Sequence, residues 1–183
     1  MKVRYSYLPE QFKNCSDLWK KLKIFVSTGD FTLGKPLLEF EKNFASLIGT
    51  KYAVGVNSGT DAIKLSLKLL GIKFGDEVIT AANTYVATIG AINEIGAKPV
   101  FVDCDDTFCM NIDLVEKKIT NKTKAIITVS LQGLSVDMDP ILKLAHERGI
   151  TVVDDSAQNI LGEYKGRVAG TLADISVLSF ENK

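Results

Sequence analysis

The chain has 183 residues, enough to bury one core, and its 46% hydrophobic and 24% charged residues are typical of a soluble globular protein. Its 22 Lys and Arg residues balance 22 Asp and Glu residues, without a dense basic run that would indicate nucleic acid or an anionic membrane as a partner. No export signal begins the chain, and no apolar run reaches the roughly 18–20 residues that span a bilayer. We therefore expect a soluble cytoplasmic protein that binds neither nucleic acid nor a membrane.

The three cysteines support the same compartment and argue against a metal site. Cys15, Cys104 and Cys109 have no CxxC spacing, and an odd number cannot all pair within one chain, which favours a reducing environment. They have no His or carboxylate neighbours at ligand spacing, so we predict no metal. The acids near Asp103 are interpreted as a solvated loop, with a Mg²⁺ site there as a minor alternative.

In chain order, the predicted elements begin with two helices and then alternate regularly. Ser16 is expected to cap a helix through "DLWKKLKIF", and a second helix covers "LLEFEKNFASLIG" and ends at Gly49. The following β-branched runs are predicted as six strands: "YAVGV", "EVIT", "KPVFVD", "KAIITVS", "TVVDD" and "DISVLSF". The stretches between them are predicted as helices: "TDAIKLSLKLLG", "TYVATIGAINEIG", "DLVEKKI" and "PILKLAHERG". This alternation predicts an α/β fold with a mostly parallel sheet flanked by helices, whose ligands gather beyond the carboxyl ends of the strands.

A short polar turn after the first predicted strand resembles a phosphate cradle. In "VGVNSGTDAIKLSL", Gly59 lets a ligand approach the backbone, and the hydroxyls of Ser58 and Thr60 stand beside the N–H groups of a helix start. The spacing matches neither a Walker loop nor a GxGxxG fingerprint, so a single phosphate group is favoured over a nucleotide. A plain helix cap with a glycine turn remains the alternative. Tyr85, after the next strand, could lie against a ring or belong to the core.

Two adjacent acids, Asp154 and Asp155, end the predicted strand "TVVDD". A carboxylate at a buried strand end needs a cation or several hydrogen bonds, and two like charges cannot satisfy each other. Adjacent strand residues point to opposite faces, so only one of the two is expected to face a ligand, for which a protonated heterocyclic nitrogen is a suitable partner. A carboxylate that caps the following turn is the alternative.

Taken together, "FTLGKPLLEFEKNFASLIGTKYAVGVNSGTDAIKLSLKLLGIKFGDEVITAANTYVAT", "KPVFVDCD", "DMDPI" and "VVDDSAQ" resemble the DegT/DnrJ/StrS family of sugar aminotransferases. The resemblance covers nearly the whole chain and implies the large domain of a fold-type I aminotransferase with pyridoxal 5'-phosphate (PLP) as cofactor. One departure is Ser130 in "TVSLQG", where many relatives have a histidine.

The resemblance also implies roles for individual residues. Asp155 matches the aspartate that pairs with the protonated pyridine nitrogen, and Gln158 matches the residue that contacts the phenolic oxygen of the ring. Tyr85 would stack on the ring. The phosphate would be held by four residues: Ser58, Gly59, Thr60 and Ser179.

The family pattern places its Schiff-base lysine one residue beyond Lys183. Either Lys183 is the nucleophile after a shorter turn, or a lysine follows it. We expect residues 1–183 to form an incomplete PLP-binding large domain, without the next strand of the sheet and without the small C-terminal domain.

The resemblance therefore implies transfer of an amino group from an amino acid, with glutamate as the expected donor, to a keto group of a nucleotide-linked sugar. The active site would lie between two subunits of a homodimer. Two alternatives stay open: a PLP-dependent sugar dehydratase of the same family, in which histidine replaces the lysine, and a non-catalytic regulatory relative.

Overall fold

The computed structural model describes residues 7–181. Within these residues lie seven α-helices: α1 Leu8–Gln11, α2 Ser16–Thr28, α3 Lys35–Ile48, α4 Gly59–Leu69, α5 Val86–Glu94, α6 Ile112–Val115 and α7 Met138–Glu147. The same residues form seven strands: β1 Glu77–Ala81, β2 Lys98–Val102, β3 Thr123–Val129, β4 Thr151–Asp155, β5 Glu163–Tyr164, β6 Arg167–Val168 and β7 Ile175–Val177.

Five of these strands form one parallel sheet, as the alternating pattern predicts, and the structure gives their order as β2-β1-β3-β4-β7. The chain leaves β1 towards β2 on one side and later returns to β3 on the other. In open α/β sheets this reversal of direction opens a crevice at the carboxyl ends of the two central strands. The loops after β1 and β3 therefore meet at the edge where the sequence predicts ligands.

Helices cover both faces of the sheet. On one face, Ile126 and Val152 pack in a core with Met138 and Ile141 of α7. The other face carries a second core, in which residues of β3 and β4 pack with α4 and α5. Burial on both faces explains why the central strands are continuous apolar runs.

The second predicted helix is confirmed, whereas the predicted cap of the first is wrong. α3 ends at Gly49, whose φ of 87° is a left-handed conformation that glycine adopts without steric cost. In contrast, Ser16 is already the first helical residue of α2. The capping position belongs to Cys15, whose side chain caps no backbone group.

The predicted first strand, "YAVGV", does not form within the described residues. Residues 52–56 pair with no strand there, and the N–H of Gly55 instead donates to Oε1 of Glu41 on α3, at 2.7 Å. A β-branched run becomes a strand only where a neighbouring backbone accepts its hydrogen bonds. Here Val54 is 77% exposed.

Other differences concern short elements. The run "DLVEKKI" divides into α6 and a 3₁₀ turn, Glu116–Lys118, and the last predicted strand shortens to β7. An antiparallel hairpin of β5 and β6 stands where the sequence indicates only a loop. In the described part of the chain, the outer edges of β2 and β7 pair with no further strand.

Candidate active site

The predicted site residues come from the carboxyl ends of the strands and the starts of α4 and α5. β4 ends at Asp155, beside the end of β3, and the chain then enters the turn that holds Gln158. α4 begins directly after Ser58, and Tyr85 stands at the capping position of α5. The parallel order of the strands therefore brings residues from distant parts of the sequence to one edge of the sheet.

Asp155 is a buried carboxylate with few hydrogen bonds. It is 6% exposed, its Oδ2 accepts a hydrogen bond from Oγ1 of Thr88 at 2.9 Å, and its Oδ1 accepts a longer one, of 3.3 Å, from the N–H of Ala157. Burial raises the pKa of Asp155, the two hydrogen bonds oppose that rise, and the charge of Asp154 adds to it. No Lys, Arg or His side chain among residues 7–181 forms an ion pair with Asp155. A positive ligand atom would therefore find an unpaired carboxylate here.

Asp154 lies on the opposite face of β4, as the alternation of strand residues predicts. Three hydroxyls donate to its carboxylate: Oγ1 of Thr128 at 2.9 Å, Oγ of Ser130 at 3.4 Å and Oγ of Ser156 at 2.5 Å. Burial raises the pKa of Asp154 and the three hydroxyls lower it. Ser130, the departure from the family pattern, thus stabilises the neighbouring acid.

The turn before α4 has the geometry of both a helix cap and an anion site. Oγ of Ser58 accepts a hydrogen bond from the N–H of Asp61 at 3.1 Å, so the capping role is real. The N–H groups of Gly59 and Thr60 occupy the first two helical positions, which have no acceptor within a helix. The hydroxyl proton of Ser58 is not used by the cap, because the oxygen is the acceptor in that hydrogen bond.

An acidic residue at this helix start is already neutralised. Lys64 forms an ion pair of 2.6 Å with Asp61 and a second one of 3.1 Å with Glu94. The hydrogen bond from Lys64 is the main cause that lowers the pKa of Asp61, followed by the hydrogen bond from Asn57. The ion pair therefore reduces the repulsion that a phosphate would otherwise meet at this turn.

Ser179 lies against the same turn. A methyl group placed on Gly59 would stand 3.6 Å from Cβ and 3.8 Å from Oγ of Ser179. The next residue, Phe180, packs edge-on against Phe40 and Phe44 of α3, with ring centroids 5.3 and 5.1 Å apart. α3 thus anchors the segment that brings the hydroxyl of Ser179 to the start of α4.

Gln158 is oriented by a residue that the sequence analysis did not identify. The N–H of Gln132 donates to Oε1 of Gln158 at 2.8 Å, and Gln132 adopts a left-handed φ of 54°. Because a backbone N–H can only donate, the amide oxygen must face it, and the NH₂ group of Gln158 is left as a donor. Gln158 and Ser179 line one open depression, together with Phe180. A glycine after Gln132 was the only sequence signal for this turn.

The remaining predicted residues and sites are Tyr85, Lys183, a metal site and a membrane span. Tyr85 is half exposed, and its carbonyl accepts a hydrogen bond of 3.1 Å from the N–H of Thr88. Lys183 lies outside the described residues, so its role stays a prediction. Within residues 7–181, His, Cys, Asp and Glu side chains do not gather in a group of three or more that could hold a metal ion. Across the same residues, no helix combines the length and apolar character needed to cross a membrane.

Comparison with known proteins resolves the family. Residues 15–183 match the model of the DegT/DnrJ/EryC1/StrS aminotransferase family. The chain belongs to this family. It is 41% identical over 177 residues to dTDP-3-amino-3,4,6-trideoxy-alpha-D-glucose transaminase from Micromonospora megalomicea subsp. nigra, covering 96% of this chain and 47% of that relative. It is 44% identical to GDP-perosamine synthase from Escherichia coli O157:H7, covering 84% and 43%.

Solved structures confirm the fold. A DegT DnrJ EryC1 StrS aminotransferase from Brucella abortus is 30% identical and superposes with a TM-score of 0.92, over 98% of this chain and 50% of that one. NtdA from Bacillus subtilis with bound cofactor PMP is 35% identical and superposes with a TM-score of 0.89, over 99% of this chain and 42% of that one. The parallel sheet flanked by helices is therefore that of the PLP aminotransferases, and the predicted family is correct. The chain spans just under half the length of the curated relatives it matches.

Proposed function

We propose that this chain provides the cofactor-binding part of a PLP-dependent aminotransferase, which moves an amino group from glutamate to a keto group of a nucleotide-linked sugar. The observation that carries the proposal is Asp155, a buried carboxylate at a strand end with no cationic partner among the described residues. The names of the two curated relatives support the substrate class, since both describe amino sugars linked to a nucleotide.

The residues at the site fit PLP on physical grounds. The protonated ring nitrogen would supply the cation that Asp155 lacks, and an adjacent positive charge favours the ionised carboxylate against the cost of burial. When bound, the cofactor supplies an electron sink that stabilises a carbanion, and a carboxylate next to its nitrogen keeps that nitrogen protonated. Asp155 thus holds a proton on the ring nitrogen throughout the reaction.

The remaining predicted residues would orient the cofactor. The N–H groups of Gly59 and Thr60, with the hydroxyls of Ser58, Thr60 and Ser179, offer donors to a phosphate. Tyr85 would cover one face of the ring. The NH₂ group of Gln158 would donate to the phenolic oxygen, because its own oxygen already accepts from Gln132.

A lysine amine would move the proton between substrate and cofactor, and either Lys183 or a lysine directly after it is proposed for this role. If the position after Lys183 holds a histidine instead, the dehydratase alternative applies.

The test uses the full-length protein, incubated with PLP, glutamate and a set of nucleotide-linked keto sugars. We expect glutamate to yield 2-oxoglutarate and the sugar to gain one nitrogen, with the two products formed in equal amounts. Alanine in place of glutamate, and a free keto sugar without the nucleotide, serve as matched controls for the two substrates. PLP binding without 2-oxoglutarate formation would contradict an aminotransferase and support the dehydratase or the regulatory protein.

We further propose that the enzyme is a homodimer. Trp19 and Ile24 of α2 and Val54 after α3 are large apolar side chains exposed in this chain, and a second subunit would cover such groups if they lie in the interface. Sedimentation of the full-length protein should give twice the mass of one chain. A fully active monomer would contradict the proposal.

We also propose that the enzyme acts in the cytoplasm. The support is the cysteine usage, since the three residues Cys15, Cys104 and Cys109 have no CxxC spacing and cannot all pair within one chain. Fractionation of cells with an antibody to the protein tests this location, and recovery from an extracellular or envelope fraction would contradict it.

A further inference from the structure

We propose that Thr88 is the positioning residue for Asp155, and that its hydroxyl ties this carboxylate to the first turn of α5, where Tyr85 stands. The inference rests on the proposed function, in which Asp155 and Tyr85 both contact the cofactor. Thr88 itself would touch neither the cofactor nor the substrate.

Thr88 makes one contact to each of the two residues. Its hydroxyl donates to Oδ2 of Asp155 at 2.9 Å, a contact between residues 67 positions apart in the chain. Its backbone N–H donates to the carbonyl of Tyr85 at 3.1 Å. The side chain of Thr88 is fully buried, so water cannot replace its hydroxyl at Asp155.

The direction of the hydrogen bonds is determined by the number of protons. An ionised Asp155 can only accept, so the single proton of the Thr88 hydroxyl points towards Oδ2. Oγ1 of Thr84 lies 2.9 Å from Oγ1 of Thr88 and 3.5 Å from the carbonyl oxygen of Tyr85, and because Thr88 has no second proton, Thr84 is the donor in the shorter contact. The result is a chain of donors from half-buried Thr84 through Thr88 to the carboxylate, and such chains strengthen each bond by polarisation.

This arrangement determines which oxygen of Asp155 is available to a ligand. Among residues 7–181, Oδ2 accepts from Thr88, whereas Oδ1 has only the longer contact to the N–H of Ala157, at 3.3 Å. A carboxylate has about four acceptor positions, so two donors leave it unsaturated. Thr88 therefore fixes the orientation of the carboxylate and leaves acceptor positions on it for a ligand.

The neighbouring acid provides a matched internal comparison. Oγ1 of Thr128 donates to Asp154 at 2.9 Å, the same distance as from Thr88 to Asp155. Asp154 has two more hydroxyl donors, from Ser130 and Ser156. Loss of one threonine hydroxyl should therefore perturb Asp155 more than Asp154.

The test measures ionisation of Asp155 directly, in full-length protein freed of cofactor and labelled with ¹³C at its aspartate carboxyls. Asp155→Asn identifies the signal by its disappearance. Among the described residues, Asp154 is the charged side chain that raises the pKa of Asp155. Asp154→Asn identifies the signal of Asp154 in the same way. We expect Thr88→Val to increase the proton affinity of Asp155 roughly tenfold, since hydrogen bonds to charged groups are strong.

Two further variants separate positioning from packing. Thr88→Ser keeps the hydroxyl and should restore the titration of Asp155 to within about twofold of the parent protein. Thr128→Val removes a hydroxyl of identical chemistry and should shift the signal of Asp154 while changing that of Asp155 less than Thr88→Val does. An unchanged midpoint of Asp155 in folded Thr88→Val would overturn the proposal, as would equal shifts from Thr88→Val and Thr128→Val.

If Thr88→Val does not fold, Thr84→Val decides the matter. It removes only the donor to Thr88, at a half-buried position, and should raise the proton affinity of Asp155 by less than Thr88→Val would. An unchanged Asp155 signal in Thr84→Val would then reject the donor chain. The titration needs no cofactor or substrate, so it is independent of the proposed function. If the full-length protein shows the predicted shifts but does not transaminate, the proposed function is refuted and the positioning role of Thr88 stands.

Discussion

Asp154 and Asp155 are neighbours on one strand and are both buried, and yet they stand in two different environments. Each is buried, and burial raises the pKa of each carboxyl. Asp154 receives three hydroxyl donors on the face of the sheet covered by α7. Asp155, on the face covered by α4 and α5, receives one hydroxyl and one long backbone contact.

The difference shows how one strand can support both stability and chemistry. A buried carboxylate whose acceptor positions are filled holds the ends of neighbouring strands together and has little left for a ligand. A buried carboxylate that accepts few hydrogen bonds keeps unused acceptor positions and an uncompensated negative charge. A cation stabilises that charge best. The face of Asp155 is therefore the one that we assign to the cofactor.

The largest expected effect separates the two acids directly. Asp155→Asn should retain the fold and reduce the single-turnover rate of amino transfer from glutamate roughly hundredfold, since a neutral amide cannot stabilise a protonated ring nitrogen. Asp154→Asn, the matched control, should lose less than about tenfold, because its side chain faces away. Stopped-flow measurement of both variants with PLP decides the question, and equal losses would show that the assignment to Asp155 is wrong.

A second effect is expected from the packing of Phe180, next to Ser179, against α3. Phe180→Ala removes two edge-on aromatic contacts, with Phe40 and Phe44, and should lower the free energy of unfolding by about 1–3 kcal/mol. It should also weaken PLP binding, because Ser179 loses its anchor. Urea unfolding and titration with PLP measure the two quantities.

The control for Phe180→Ala is Phe108→Ala, at a similarly exposed residue in the loop after β2. It should change the free energy of unfolding by less than about 1 kcal/mol and leave PLP binding unchanged. Equal loss of PLP affinity in both variants would contradict the anchoring role of Phe180.

A third effect is the pH dependence that Asp154 gives to stability. The pKa of Asp154 is raised in the folded state, so the folded protein binds this proton more tightly than the unfolded chain does. The free energy of unfolding therefore falls as pH rises from about 3.8, the ordinary value for Asp, through the raised pKa. Asp154→Asn has no such proton to lose, so it should become more stable relative to the parent protein as pH increases. Urea unfolding of both proteins from pH 4 to 8 measures the trend.

Asp106→Asn, at an exposed loop residue, controls for the removal of one negative charge in this comparison. A stability difference between the parent protein and Asp154→Asn that stays constant with pH would contradict the interpretation of Asp154 as a buried acid with a raised pKa.

The smallest effect is expected from the charged surface cluster beside α7. Lys165 and Arg167 of the β5–β6 hairpin pair with Asp139 at 2.7 and 2.5 Å, and Tyr164 donates to Asp137. These groups are exposed, so Lys165→Met should lower the thermal midpoint only slightly, and the loss should vanish at about 1 M salt. Activity should be unchanged, and a large loss of activity would mean that this face also serves the site.

Much of the fold could be predicted from local sequence patterns, and the exceptions have one cause. The buried runs of β1, β3 and β4 and the helices between them follow from apolar periodicity. "YAVGV" has the same β-branched character and pairs with no strand among the described residues, because pairing depends on a partner that no local pattern encodes. The hairpin of β5 and β6 was missed for a related reason, since strands of two residues are too short to show alternation.

The candidate site divides in the same way. The turn at residues 58–60, Tyr85 and Asp155 could be recognised because each stands at or after the end of a predicted strand, and the family resemblance supplied their expected roles. Thr88 and Gln132 could not, because each acts through a contact to a residue far along the chain. Thr88 also looks like an ordinary residue of an apolar helix.

The sequence by itself determined the alternation of strands and helices, the edge of the sheet where ligands gather, and the fact that Asp154 and Asp155 point to opposite faces. These follow from periodicity and from strand geometry, which are local properties of the backbone. Only the tertiary structure decided which of the two carboxylates accepts three hydroxyl hydrogen bonds and which keeps unused acceptor positions. That outcome depends on hydroxyls from β3 on one face and from α5 on the other, which become neighbours of the two acids only when the sheet and its covering helices have packed.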